Sequence, residues 1–134
     1  MIGVLHVSHG EIGTSLLASA AQILGTAPRQ VATLSVWRQD DPDDLVLRAR
    51  ELLEGIDDGD GVLVLTDIFG ATPGNVVSRL LQDGRIEGVS GVSLPMLLRV
   101  LTGRNGSLRG AVERALSGGA EGVLHMNSDR CCDA

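Results

Sequence analysis

The chain has 134 residues, of which 43% are hydrophobic, and a formal net charge of −6 at pH 7. This length and apolar content are typical of one globular domain with its own core. Because nucleic acids and anionic membrane surfaces attract basic patches, the net negative charge argues against both as partners.

The two ends of the chain carry no targeting signal that we recognise. No run approaches the roughly 18 consecutive apolar residues of a membrane span, and the first residues lack the basic start of a signal peptide. We therefore expect a cytoplasmic protein without direct membrane insertion.

Cys131 and Cys132 are adjacent in a polar tail and lack the spacing that holds a metal or a redox disulfide. We assign residues 1–126 to one domain and expect residues 127–134 to be a disordered tail.

Strand-like and helix-like segments alternate along the chain. Five strands are predicted, at residues 2–7, 31–37, 62–65, 86–92 and 121–126. Between them, apolar residues recur at helical spacing. Because parallel strands are almost always joined by right-handed crossovers, this alternation predicts a three-layer α/β domain with a mostly parallel five-stranded sheet. We expect the flavodoxin-like strand order 2-1-3-4-5.

Turn and capping residues predict several helix boundaries. A helix ends at Gly25, and another begins at Asp41-Pro42, where proline suits the first helical position. After the third strand, Thr72 is predicted to be the N-cap of a helix and Pro73 its first residue. This helix should run to near Gly84.

The predicted topology brings three polar side chains to one edge of the sheet. The first and third strands are neighbours in the expected order, so their carboxyl ends lie side by side. His9 follows the first strand and Asp67 the third, and Thr72 stands at the start of the next helix. We therefore expect the imidazole, the carboxylate and the hydroxyl to share one crevice.

This trio suits a phosphohistidine. A carboxylate that accepts the Nδ1 proton of His9 leaves Nε2 free as a nucleophile and stabilises the cation formed when Nε2 is substituted. The Thr72 hydroxyl and backbone N–H groups at the helix start would hold the phosphoryl oxygens. Because positioning and electrostatics do most of the work in phosphoryl transfer, we expect no metal, no nucleotide and no other cofactor.

Three segments have the order and spacing of a known family. They are VSHG at residues 7–10, LTDIFGATPGN at 65–75 and GVSLPML at 91–97. In combination they resemble the mannose-type (mannose/fructose/sorbose family) enzyme IIA domain of the bacterial phosphoenolpyruvate-dependent sugar phosphotransferase system. The resemblance covers nearly the whole chain, to about Met126.

The resemblance implies a phosphoryl carrier of the sugar phosphotransferase system. His9 would accept the phosphoryl group from the phosphocarrier protein HPr and pass it to a IIB component, with Asp67 as its carboxylate partner and Thr72 near the phosphoryl group. It also implies a homodimer in which the C-terminal strands are exchanged between subunits. The phosphoryl pocket and partner-docking surface are expected to include Ser8, Gly10, Phe69, Gly70, Ala71 and Pro73.

Two departures from the family pattern affect these expectations. Ser93 stands where the family usually has asparagine, so the contacts of that loop are open. The sequence shows no linker and no IIB domain after the IIA-like region, so we expect the acceptor either to be a separate protein or to be missing. The sugar is not specified, because a IIA domain contacts only protein partners.

Three other functions share part of this pattern. A response-regulator receiver needs an acidic pair after the first strand to hold Mg²⁺, and Ser8-His9 stands there instead, so we reject it. The phosphotransferase subunit of dihydroxyacetone kinase also has Ser-His after the first strand but is less similar around residues 67–75. A stand-alone regulatory phosphoacceptor without a transport role remains open. Outside the site, we expect His6 and His125 to be ordinary strand residues and Trp37 to have a packing or dimer role.

Overall fold

The structure is a computed structural model, and it describes residues 1–128 of the chain. In this part of the chain, strands and helices alternate as the sequence predicts, until two helices follow the last strand in succession. The strands are β1 (Gly3–His9), β2 (Val31–Val36), β3 (Val62–Thr66) and β4 (Ile86–Ser90). The helices are α1 (Ile12–Leu24), α2 (Pro42–Ile56), α3 (Thr72–Ser78), α4 (Leu94–Leu101) and α5 (Leu108–Glu121).

The strands form one parallel sheet in the order β2-β1-β3-β4. The α/β class and this part of the predicted order are confirmed. β1 lies between β2 and β3, and its register pairs His9 with Val36 and Val7 with Thr66. The carboxyl ends of these three strands therefore meet at one edge of the sheet.

Helices cover both faces of the sheet. Because successive strand residues point to opposite faces, Leu5 and Val7 of β1 pack on the side of α2 and α3, whereas Ile2 and Val4 pack on the side of α1, α4 and α5. The core strand β3 is buried on both faces over its whole length. This explains its uninterrupted run of branched apolar residues.

The predicted fifth strand, at residues 121–126, is wrong. Helix α5 continues to Glu121, and the residues from Gly122 to Met126 are exposed and belong to no strand. The glycines at 118 and 119 looked like a helix end, but Gly118 is a packing position. A Cβ there would lie 3.2 Å from the Met96 Cα of α4, so glycine lets the two helices approach closely.

The predicted bounds of α3 also differ from those observed. Ala71, rather than Thr72, is the N-cap, and Thr72 is the first residue of the helix. No side chain forms a capping hydrogen bond at this helix start. The helix ends at Ser78 instead of near Gly84. The backbone N–H groups of Arg79 and Leu80 bond to residues three positions earlier, and Gln82 then pairs with Ile86, so the chain leaves the helical path early.

Other boundaries are as expected. Gly25 ends α1 in the left-handed conformation with φ of 77°, and the Asp41 side chain caps α2 by accepting the backbone N–H of Asp43 at 3.0 Å. None of the helices in residues 1–128 is long and apolar enough to cross a bilayer. Cys131 and Cys132, with the rest of the predicted tail after Ser128, lie outside the described residues.

Candidate active site

The predicted histidine and carboxylate meet at the carboxyl edge of the sheet. His9 is the last residue of β1, and Asp67 directly follows β3. The His9 Nδ1 atom lies 2.7 Å from the Asp67 Oδ2 atom. The same oxygen accepts the His9 backbone N–H at 3.1 Å. One carboxylate oxygen thus binds both the ring and the main chain of His9.

The other carboxylate oxygen of Asp67, Oδ1, is bound by the residues on either side of Asp67 in the chain. Oδ1 accepts the backbone N–H of Ile68 at 3.0 Å and faces the Thr66 hydroxyl at 3.4 Å. The carboxylate is therefore held from both sides, and its side chain is only 11% exposed. Such a fixed carboxylate can set the orientation of the ring that it binds.

Two effects act on the ionisation of Asp67. Burial favours the neutral acid, but the hydrogen bonds from the His9 ring and backbone, with the attraction to that ring, outweigh it. The pKa of Asp67 is therefore lowered, and the group is a carboxylate at neutral pH. A carboxylate can only accept, so its short contact with Nδ1 places the ring proton on Nδ1.

This arrangement leaves Nε2 as the nitrogen of the His9 ring with a free lone pair. Within residues 1–128, the His9 ring makes its hydrogen bond through Nδ1, and the side chain is 48% exposed. An imidazole with the proton on Nδ1 has its lone pair on Nε2, where it can attack an electrophile that approaches from solvent. The adjacent carboxylate stabilises the cation that such an attack creates.

The segment after Asp67 forms an exposed turn. Ile68 and Phe69 are 56% and 84% exposed, so Phe69 is presented to solvent rather than packed inward. Gly70 has φ of 88°, a conformation that favours glycine, and it redirects the chain into α3. Ala71 then caps the helix, and Pro73 is buried at its start.

The remaining predicted site residues are placed as follows. Ser8 is buried within β1, on the side of α1, and Gly10 turns the chain with φ of 53°. Thr72 is exposed at the first position of α3, a helix that packs against β1. Ser93, where the loop contacts were open, caps α4 by accepting the Met96 backbone N–H at 3.3 Å.

Trp37 is a site residue that sequence reasoning did not identify. It directly follows β2, whose last residue pairs with His9, and it is 46% exposed. A Cβ on Gly10 would lie 3.4 Å from its ring. The signal was available, since the order 2-1-3 brings the end of β2 beside the end of β1. Its indole therefore flanks the turn that follows His9.

The other two histidines differ from each other. His6 lies in β1 as expected, is 2% exposed, and has no hydrogen-bond partner for either ring nitrogen among the described residues. His125 is exposed and lies outside any strand, so that expectation is wrong for it. The part of the chain that the structure describes holds no group of three or more His, Cys, Asp or Glu side chains suited to a metal ion.

An imidazole bound by a carboxylate, at the carboxyl edge of a parallel sheet, defines the chain as an α/β protein with a histidine–carboxylate pair at its strand ends. The family follows from a comparison with family models. The model described as "PTS system fructose IIA component" matches residues 3–116, and the chain belongs to this family. Its members include phosphoryl carriers of the sugar phosphotransferase system, and the chain has that role.

Curated relatives agree with this membership. The chain is 32% identical over 103 residues to the fructose-specific EIIA component of Bacillus subtilis, covering 76% of this chain and 70% of the relative. It is 30% identical over 130 residues to the mannose-specific EIIAB component of Escherichia coli, covering 95% of this chain but only 40% of the relative. The chain thus spans less than half of that longer protein.

Solved structures show the same fold. The EIIA component of the phosphotransferase system from Streptococcus agalactiae is 26% identical, with a TM-score of 0.85, and the match covers 96% of this chain and 99% of that one. A mannose/sorbose-specific IIA subunit from Enterococcus faecalis, at 21% identity and a TM-score of 0.82 over 92% of both chains, supports the fold alone. The family model and the curated relatives favour the sugar phosphotransferase role over a dihydroxyacetone kinase subunit or a purely regulatory phosphoacceptor.

Proposed function

We propose that His9 carries the phosphoryl group on Nε2, receiving it from phospho-HPr and giving it to a IIB component. The observation that carries this proposal is the 2.7 Å contact between His9 Nδ1 and Asp67 Oδ2. The Nε2 lone pair attacks the phosphorus of the donor phosphohistidine, and a new N–P bond forms as the donor N–P bond breaks. The bonding pair returns to the donor imidazole. The His9 proton stays on Nδ1, bound to Asp67.

Asp67 has a positioning and electrostatic role in this step. Phosphorylation of Nε2 gives the ring positive character, which the neighbouring carboxylate stabilises. The transfer to IIB is the same exchange in reverse, with His9 as the leaving imidazole. The Thr72 hydroxyl, exposed at the start of α3, is proposed to bind a phosphoryl oxygen, with Ser8, Gly10, Gly70, Ala71 and Pro73 shaping the surrounding turns.

Exposed apolar side chains support protein docking next to His9. Four such side chains are at least 43% exposed: Ile12, Trp37, Ile68 and Phe69. Ile12 lies three residues after His9, and Ile68 and Phe69 directly follow Asp67. Trp37 follows Val36, the residue of β2 that pairs with His9. Aromatic side chains are enriched at the cores of protein interfaces. We assign this apolar rim to the contact with HPr and IIB.

The homodimer is also part of the proposal. β4 pairs with β3 on one edge, and within residues 1–128 no strand occupies its other edge. A groove of about 360 Å³ beside it is lined by Phe69, Leu81, Val112 and Leu116 among others. Val123, Leu124 and Met126 are exposed. We assign the open edge to the C-terminal segment of a second copy, which would hydrogen-bond to β4 and cover the groove at Leu81, Val112 and Leu116, leaving Phe69 open to the protein partners.

Phosphorylation of the purified protein tests the central step. The protein is incubated with enzyme I, HPr and phosphoenolpyruvate, and an acid-labile modification is located by mass spectrometry. His9→Ala should abolish labelling, whereas His125→Ala, which removes another exposed histidine, should not change it. Label at the wild-type level in His9→Ala would refute the assignment.

A further inference from the structure

A second polar site lies at the opposite end of the sheet from His9. Arg104, in the loop between α4 and α5, is only 6% exposed. Its Nη1 atom donates to the backbone carbonyls of Ile2, Arg29 and Gln30, at 3.3, 2.7 and 3.5 Å. These residues directly precede β1 and β2, so the guanidinium lies at the amino edge of the sheet.

Within residues 1–128, the Nε atom of this guanidinium has no acceptor. All hydrogen bonds of the guanidinium to residues 1–128 run through Nη1, and the buried Nε has no partner. Nε and Nη2 form the side of an arginine that binds carboxylates and phosphates through two parallel hydrogen bonds. A buried donor without an acceptor costs free energy, and a buried charge is normally paired.

No acidic side chain within the described residues forms an ion pair with Arg104. Its charged neighbour is instead a second cation, Arg29. Burial, and next the repulsion from Arg29, lower the pKa of Arg104, so both effects work against its charge. An anion between the two guanidinium groups would relieve the repulsion and supply the missing acceptor.

A cavity of about 380 Å³ adjoins both arginines. Its walls also include the apolar side chains Leu24, Ala27, Pro28 and Leu101, together with Thr26. Ligand pockets of small molecules have volumes of roughly 300–1,000 Å³ and combine apolar walls with a few polar groups. Two arginines at one end of the cavity and apolar walls elsewhere fit an anion that has a short hydrocarbon body.

We propose that this cavity binds a small organic oxyanion, whose carboxylate or phosphate head contacts Arg104 and Arg29 and whose apolar body packs on Leu24 and Leu101. This site is independent of phosphoryl transfer at His9, since it lies at the other end of the parallel strands. Ligand binding here would tie the α4–α5 loop to the amino ends of β1 and β2.

Titration of the full chain tests the proposal. Butyrate, methyl phosphate and inorganic phosphate are added at constant ionic strength, with butanol as the uncharged analogue, and binding is followed by calorimetry and by the NMR signal of the Arg104 Nε–H group. The His9→Ala background removes phosphate binding at the other site. We expect saturable binding of butyrate or methyl phosphate, a shifted Nε–H signal and no binding of butanol. The stronger of the two organic anions identifies the head group.

Two arginine variants distinguish this site from general charge effects. Arg29→Gln should weaken binding by about tenfold or more, as expected for the loss of a charge-assisted contact, and leave the fold intact because the Arg29 side chain is exposed. Arg109→Gln removes an exposed arginine of α5 outside the cavity and should bind like the wild type. Absence of saturable binding by every anion, or equal weakening in both variants, would overturn the proposal.

Discussion

His9 and Asp67 are 58 residues apart in sequence, yet their side chains are joined by a contact of 2.7 Å. The cause is topological: β1 and β3 are parallel neighbours, so the residues that follow their carboxyl ends face each other. The same carboxylate oxygen also accepts the His9 backbone N–H. The ring is therefore held relative to the main chain as well as to Asp67.

Replacing Asp67 by alanine should slow phosphorylation of His9 without abolishing it. The nucleophile remains, but the ring loses its orienting partner and the cation loses its stabilising charge. A charge-assisted hydrogen bond contributes about 1.5–3 kcal/mol, which corresponds to a rate roughly 10- to 100-fold lower. The measurement is the initial rate of labelling by phospho-HPr. Asp83→Ala, which removes a carboxylate from an exposed turn, is the control and should be labelled at the wild-type rate. An unchanged rate in Asp67→Ala would mean that the carboxylate does not orient the imidazole.

The sheet order and the His9–Asp67 pair could be predicted because few topologies are compatible with alternating strands and helices. Right-handed crossovers fix which strands are neighbours, and the residues after each strand then meet at one edge. Trp37 follows from the same rule, since its strand lies beside β1.

The rest depended on tertiary contacts that local sequence does not reveal. Adjacent glycines such as Gly118 and Gly119 are typical of a helix end, but Gly118 lies within α5 and serves close packing between α4 and α5. Thr72 has the usual chemistry of an N-cap, but the turn through Gly70 starts the helix one residue earlier, with Ala71 at the cap. The residues from Gly122 to Met126 are exposed and belong to no strand, and the proposal assigns this segment to the sheet edge of a second copy.

The buried His6 should make the protein less stable in mild acid. Burial lowers the pKa of His6 from 6.5 to about 4, with only partial compensation from the Asp67 carboxylate. The unfolded chain therefore binds a proton that the folded protein does not, so stability falls as the pH decreases from about 6.5 towards 4. The loss over this window is about 3 kcal/mol. Urea unfolding at a series of pH values measures it.

A variant isolates the contribution of His6 to this pH dependence. His6→Leu replaces the imidazole by an apolar group of similar size, and it should flatten the dependence between pH 4 and 6.5, because no group then titrates at that position. His125→Gln removes an exposed histidine and should keep the wild-type slope. An equally steep slope in His6→Leu would show that another group is responsible.

Two glycine-to-alanine replacements should have opposite effects on stability. Gly61, which directly precedes β3, has φ of 95°, and a Cβ there would lie 2.9 Å from the Arg85 carbonyl oxygen. Gly61→Ala should therefore destabilise the fold by about 1–3 kcal/mol. Gly55 lies in α2 with open space around its Cβ position, so Gly55→Ala should stabilise by about 0.5–1 kcal/mol. Thermal unfolding compares the two, and equal shifts would contradict the packing argument at Gly61.

The C-terminal segment should control the oligomeric state. Sedimentation of the full chain is expected to give a dimer at micromolar concentration. Removing residues 123–134 deletes the segment assigned to the open edge of β4 and should give a monomer. Removing residues 129–134 alone should leave the dimer. A monodisperse monomer of the full chain would contradict strand exchange.

Phe69→Ala should weaken the productive encounter with HPr. Phe69 is 84% exposed beside Asp67 and makes no contribution to the buried core, so the fold should be unaffected. Truncating an aromatic interface residue weakens the binding free energy by more than about 1 kcal/mol. The apparent KM for phospho-HPr should therefore rise roughly fivefold or more, while kcat stays near the wild-type value. Leu47→Ala, which truncates an exposed apolar residue on α2, should have wild-type kinetics.

Trp37 gives an independent readout of the same encounter. It is the sole tryptophan of the chain and lies against the turn after His9, so bound HPr should change its fluorescence. The titration uses unphosphorylated HPr, which supports no transfer. The fluorescence change should saturate at the same HPr concentration in the wild type and in Leu47→Ala, and at a higher HPr concentration in Phe69→Ala. A wild-type titration curve in Phe69→Ala would place the contact with HPr elsewhere and leave Phe69 outside the docking surface.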